Sequence, residues 1–433
     1  MIKSIFFTRH FWPIFWTQFF GAFNDNVFKN ALIILITYQA MSLAGLSSSI
    51  MVSLCGGLFI LPFFLLSGIA GELSDKYSKN ILIKKIKIAE IIIMCAGALG
   101  FATESLTILL FTLFCMGAQS TFFGPIKYSI LPELLDEKDL VSGNAFVESG
   151  TFMAILIGTI TGGILISFEG HGKWLISISV IVFAIIGYVF SIFIEQTSKE
   201  HIQHKVDFNF IRSSFKIIKL TMKEKKLMTA IYLISWFWFV GAVLLSLFPL
   251  YVKNILKGDQ LMVTFFLGLF SVGVGIGSIL CERMSHGKIK HEFVLISSLL
   301  MTFFMIDLSL ISYDTFQTSL TLDMALKSMK FMRILFDFLF ISILGGFFTV
   351  PLYTFLQRES SQEIRSRVIA GLNIYNSLFM VSSAIGLMYL FSLNMKSSEI
   401  YIILGVFHFI VCLTIYLRST LYKNYLKKLI RRS

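Results

Sequence analysis

Asp25 and Lys29 stand four residues apart in an otherwise apolar run, with Asn24, Asn26 and Asn30 beside them. On a helix that spacing puts both charges on one face. They can pair with each other, meet the charged group of a ligand, or take up a proton or a cation. Lys127 follows directly on a Gly124-Pro125 break, where its ammonium can neutralise a phosphate or pair with Glu133. Asn144 and Glu148 are again four apart, as Asn373 and Asn376 are three apart, and such groups serve equally as bonds between helices or as ligand contacts. Arg333 and Asp337 are one turn apart, and Asp307 reads as peripheral. Gly71, Asp75 and Lys76 close one apolar run and Glu282 and Arg283 close another. A carboxylate and a cation at a helix end either set topology or, paired with a neighbouring helix terminus, hold one face of a helical assembly shut.

Covalent chemistry finds no support. No His is followed five residues later by Asp, and neither a G-x-S-x-G elbow nor a G-x4-G-K-[ST] phosphate loop occurs. Cys55, Cys95, Cys115, Cys281 and Cys412 lie in or beside apolar runs, without C-x-x-C or a His at ligand spacing. His201 and His204 form a lone pair in a charged segment. No enzyme, metal or cofactor is expected.

These groups need elements to position them, and composition says which. Of 433 residues, 56% are hydrophobic and 14% charged, against about 45–50% and about 25% for a soluble chain. The mean hydropathy is +0.80. This excludes an ordinary soluble enzyme, and 46 Phe with only 6 Pro exclude disorder. An all-α polytopic membrane protein remains. Runs of roughly 20 apolar residues predict helices at about 11–38, 50–70, 84–103, 106–123, 143–168 and 174–194. Six more are predicted at about 227–252, 262–282, 293–313, 333–356, 368–391 and 399–417. With both termini cytoplasmic, 29 of the 37 Lys and Arg fall on the inside, including five from Lys76 to Lys87. An odd number of spans destroys that alternation. The net charge of +12 is therefore assigned to orientation, with no nucleic acid as partner. The polar first helix, with no small-residue cleavage site after it, is not read as a cleavable signal.

The predicted organisation is a six-helix bundle at 1–194, a basic cytoplasmic linker at 195–226, a second bundle at 227–417 and a basic tail at 418–433. Gly71, Leu73, Asp75, Lys76 and Lys79 resemble the short signature of the major facilitator superfamily, with Ser78 where that pattern has Gly. Glu282 and Arg283 are a degenerate second copy, and Pro125 is echoed by Pro351. Gly268, Gly273, Gly275 and Gly277 suit close helix packing.

The run from Phe11 to Asn30, with Gln18, Gly21 and Asn24-Asp25-Asn26, is similar to the first helix of the bacterial lysophospholipid transporters. So is Gly124-Pro125-Ile126-Lys127-Tyr128 with Leu131-Pro132-Glu133-Leu134, where Ser129 replaces a usual Gly. The resemblance implies twelve helices in two bundles in the bacterial inner membrane. It also implies inward movement of lysophospholipid for re-acylation, by alternating access or by lateral entry between helices 5 and 8 or 2 and 11. Asp25, Asn26 and Lys127 are the positions it carries over, and a separate acyltransferase is the partner it implies. Lys127 and Lys29 suit a phosphate, Asp25 an ammonium, and Phe-rich helices an acyl tail. The same inventory suits an exporter of drugs or siderophores. In the linker, Phe208, Ile211, Phe215, Ile218 and Met222 recur at 3–4 spacing beside Arg212, Lys216, Lys219 and Lys223. This predicts either an amphipathic helix on anionic membrane lipid or an ordinary connector.

Overall fold

The computed structural model describes residues 5, 7–38, 48–196, 206–258, 260–311, 327–419 and 422. His201, His204 and nearly all of the basic tail lie outside them. Among the described residues the chain forms twelve long helices and no strand. They are α1 (Trp12–Tyr38), α2 (Ser48–Lys76), α3 (Lys79–Ala102), α4 (Leu106–Ser129), α5 (Leu140–Ile166) and α6 (Gly172–Ile192). After a connecting helix (Phe210–Lys223) come α7 (Lys225–Tyr251), α8 (Gln260–Ser285), α9 (His291–Ile311), α10 (Met329–Glu359), α11 (Arg365–Ser392) and α12 (Ser397–Arg418). A helix satisfies its own backbone hydrogen bonds, which hydrocarbon cannot do for it. Hence every long apolar run becomes one.

Eleven of the twelve are long and apolar enough to cross a membrane. The exception, α3, carries Lys79, Lys84, Lys85, Lys87 and Glu90 in its first half. The sequence placed these lysines in a loop ending at Lys87, with the helix from about 84. Instead the helix begins at Lys79, and Lys87 is fully buried in its third turn. The reason is a partner on the same helix, described below.

The chain forms two compact units, one of Met1–Lys223 with Gln357–Ser377 and the other of Glu224–Leu356 with Leu378–Ser433. In the first, α1 packs along α5 because Gly158 and Gly162 admit the backbone carbonyls of Phe23 and Val27, where a Cβ would collide. That four-residue spacing of small residues is the usual device for close approach of membrane helices. Around it Phe28, Leu32, Leu35, Met94, Phe101, Leu109 and Ile176 form the apolar core. In the second unit, Gly273 and Gly277 of α8 lie against Ser342 and Ile343 of α10. Edge-on rings of Phe248, Phe266 and Phe338 with Tyr251 and Tyr401 fill its centre. Trp236 Nε1 donates to His408 Nδ1 at 2.9 Å, which satisfies both groups in an apolar interior.

Candidate functional site

The polar groups of the first unit form two buried clusters and one seam. In the first cluster, Asp25 Oδ2 accepts from Ser120 Oγ of α4 at 2.8 Å, and Ser120 lies 3.2 Å from Gln119 Oε1. Gln119 Nε2 donates to Glu90 Oε2 at 2.9 Å, and the same oxygen takes the Lys87 ammonium at 2.6 Å. Lys87 and Glu90 are both buried, three residues apart on α3. The ammonium reaches its place because Gly21 of α1 and Gly187 of α6 have no side chain: a Cβ on Gly21 would come within 2.7 Å of Nζ. Phe123 presents its ring 5.4 Å away. A line of polar contacts thus runs from Asp25 to Lys87 across three helices, with the single Ser120 hydroxyl hydrogen serving either Asp25 or Gln119.

Asp25 and Lys29, for which pairing was one of the readings, make no direct ion pair, although the two charges act on each other. Lys29 directs its ammonium over the ring of Phe59, 4.3 Å from the centroid. Asn24 donates to the Val180 carbonyl of α6 at 3.0 Å, and Asn26 to Ala22 of its own helix at 2.7 Å. Asn24 therefore ties helices together, and its Oδ1 has no hydrogen-bond partner among the described residues. Lys87, Glu90, Gln119 and Ser120 were missed by sequence reasoning. The signal was present as opposite charges three residues apart inside an apolar run, but it was read as a loop end.

The second cluster surrounds Lys127. Its Nζ lies 3.4 Å from Thr151 Oγ1 and 4.8 Å from the centroid of the Tyr128 ring. Thr151 donates to Gln18 Oε1 of α1 at 2.9 Å or to its own helix, and Tyr128 donates to the Glu148 carboxylate. Gln18 Nε2 is buried without a hydrogen-bond partner among the described residues. Glu133, one of the two alternatives offered for Lys127, pairs instead with Lys79. Lys127 has no carboxylate within ion-pair distance among the described residues, although the buried Glu148 acts on its charge from beyond that distance.

The seam lies where α2 ends. Asp75 Oδ1 accepts from the Ser366 backbone N–H at 2.9 Å, and Oδ2 from the Arg367 Nε at 2.8 Å and its backbone N–H at 3.3 Å. The carboxylate caps the first turn of α11, where orphan N–H groups and the helix dipole favour an anion. Gly71 is needed one turn earlier, since a Cβ there would strike Ala370. Ser74 and Ser129 both bond Ser366, at 2.9 and 3.0 Å, so the serine replacing the usual Gly at 129 has a partner. Ser78 replaces the other pattern Gly without strain, because its φ is −56°. Asn144 exchanges two hydrogen bonds with Gln357 at 2.6 and 2.9 Å. Lys76 rests on the Tyr77 ring. In the second unit Glu282 is buried and Arg283 exposed on α8. Arg333 pairs with Asp307 of α9 and not with Asp337, so Asp307 is an ion-pair partner.

The model of the Major Facilitator Superfamily matches residues 14–387. The chain belongs to this superfamily. As a major facilitator it is a multi-pass membrane transporter, not an enzyme. Two solved superfamily folds resemble it over nearly their whole length. The human organic anion transporter MFSD10 (TETRAN) gives a TM-score of 0.70 at 11% identity, covering 93% of this chain and 99% of that one. The E. coli fucose:proton symporter FucP gives 0.69 at 14% identity, covering 95% and 98%. Among curated relatives, the lysophospholipid transporter LplT of Yersinia pestis (strain Pestoides F) is 24% identical over 352 residues, 80% of this chain and 78% of its own. That of Yersinia pseudotuberculosis serotype O:3 (strain YPIII) matches equally.

Proposed function

We propose that this major facilitator carries lysophospholipids inward across a bacterial inner membrane, with both termini cytoplasmic, delivering them to a separate acyltransferase. The observation that carries the reading is Lys127, a cation beside a hydroxyl and a ring, with no carboxylate at ion-pair distance among the described residues and the buried Glu148 acting on it only from further off. A phosphate is the anion such a site suits, with the free Gln18 Nε2 as a second donor nearby. Asp25, held by a single hydroxyl, suits the ammonium of an ethanolamine head group. Only the head group needs such anchors, because the acyl chain is at home in about 30 Å of hydrocarbon. Supporting it are the relatives named for lysophospholipid transport.

The test is uptake of radiolabelled lysophosphatidylethanolamine by spheroplasts that lack their own lysophospholipid uptake. Expression of the chain is expected to raise uptake several-fold. Correctly inserted protein without added uptake would reject the lipid reading in favour of export of a lipophilic drug or siderophore.

In the same reading, transport is alternating access and the Asp75 seam is a gate. The seam has a specific signature, since Asp75 serves two backbone N–H groups as well as Arg367. Asp75→Ala is expected to cut uptake strongly. The charge swap Asp75→Arg with Arg367→Asp is expected not to restore it, because arginine cannot accept from an N–H. Recovery in the swap would reduce the seam to a simple ion pair.

A further inference from the structure

The connecting helix has three faces, and the first unit uses only one of them. Ser213, Ser214, Ile217 and Thr221 are buried. Ser213 and Ser214 lie on Gly68 of α2, where a Cβ would come within 2.7 Å of their backbone. Ile217 packs on Ala370 and Ile374 of α11, and Thr221 on Gly371. At the N-terminal end, the buried Glu72 of α2 accepts from the Asp207 backbone N–H at 2.7 Å and pairs with Lys216 at 2.9 Å. This helix therefore clasps α2 and the first half of α11 together, beside the Asp75 seam.

The apolar residues point elsewhere. Phe208, Ile211, Phe215 and Met222 are 73%, 56%, 69% and 58% exposed. At about 100° per residue, Ile211, Phe215 and Met222 form a stripe roughly a third of a turn from the buried face. The basic residues Arg212, Lys216, Lys219 and Lys223 form the next stripe round. Arg212 shares its charge with Asp207 at 3.3 Å. Lys219 and Lys223 are exposed, with no ionic partner among the described residues. Spacing alone left open whether the apolar stripe met the bundle or something else. The serines, Ile217 and Thr221 have taken the bundle, so the apolar stripe must be covered from outside. Apolar side chains bordered by unpaired lysines match a bilayer surface, with acyl chains under the rings and phosphates beside the ammonium groups. The excess of cations selects anionic lipid over zwitterionic.

We infer that the connecting helix is a latch, whose inner face clasps α2 to α11 and whose outer faces lie in a bilayer surface containing anionic phospholipid. The latch does not depend on what the protein transports. Its consequence is that anionic lipid steadies the contact of α2 with α11, because lifting the helix uncovers both the rings and the lysines.

The full chain is reconstituted in phosphatidylethanolamine vesicles with and without one part in four of phosphatidylglycerol. Each carries a trace of a diacyl lipid of either head group with a diazirine on its acyl chain. After illumination, adducts are mapped by mass spectrometry. Label on Phe208–Met222 is expected to be several-fold heavier from the phosphatidylglycerol probe, with Val182 and Ile185, exposed on α6, as the internal standard. Lys219→Gln with Lys223→Gln should bring that label down to the phosphatidylethanolamine level, while Lys219→Arg with Lys223→Arg keeps the excess. Equal labelling by the two probes, an excess that survives the glutamine pair, or an unlabelled segment beside a labelled α6 would each overturn the inference. The last result would mean that protein covers the face.

Discussion

Lys87→Met is expected to destabilise the protein by roughly 3–5 kcal/mol, the usual cost of stranding one member of a buried ion pair. Lys87 and Glu90 are both buried and 2.6 Å apart, and Glu90 Oε1 already lacks a hydrogen-bond partner among the described residues. Removing the ammonium leaves a carboxylate in an apolar interior with one amide to meet it. The double variant Lys87→Met with Glu90→Leu is expected to recover more than half of the loss, since replacing a whole buried pair by apolar groups is often close to neutral. Thermal unfolding of the detergent-solubilised protein measures both. A single variant that melts with the parent would show that this pair does not hold α3 in place.

Lys127→Ala is expected to behave differently. It breaks no direct ion pair, and Glu148 keeps the Tyr128 hydroxyl, so folding should change less than in Lys87→Met while lysophosphatidylethanolamine uptake falls roughly ten-fold or more, the worth of a hydrogen bond to a charged group. Lys127→Arg keeps the charge and should retain part of the rate. Asp25→Asn keeps an oxygen for Ser120 but loses the charge, and a comparable loss of uptake is expected with normal amounts in the membrane. Parent rates in Lys127→Ala or in Asp25→Asn would remove that residue from the site. The pair of experiments separates the two kinds of buried lysine in one unit. Lys87 is an internal strut joined directly to its own carboxylate, and Lys127 makes no direct ion pair among the described residues.

The Asp75 seam was the most legible part of the candidate site, because a helix-terminal carboxylate after a close-packing Gly has few physical uses. The structure supplied its partner, the first turn of α11. Glu133 was legible as an acid near a cation, but not which cation, since Lys127 is close to it in sequence while its actual partner, Lys79, lies 54 residues away. Lys87 was least legible, because Gly21 and Gly187, which make room for its ammonium, lie 66 and 100 residues away.

Twelve helices could be read from residue order alone, as could the polar α1, the glycine face of α8 and the apolar and basic stripes of the connecting helix. Each of these follows from hydropathy and spacing within one segment, because in hydrocarbon a segment must satisfy its own backbone. Which charges meet could not be read this way. That depends on how each helix is rotated and how far it slides along its neighbour, and those two quantities are set by packing between segments. Tertiary structure alone therefore placed Asp25 on Ser120, Glu90 on Lys87 and Glu133 on Lys79, and left Lys127 without a direct ion pair among the described residues.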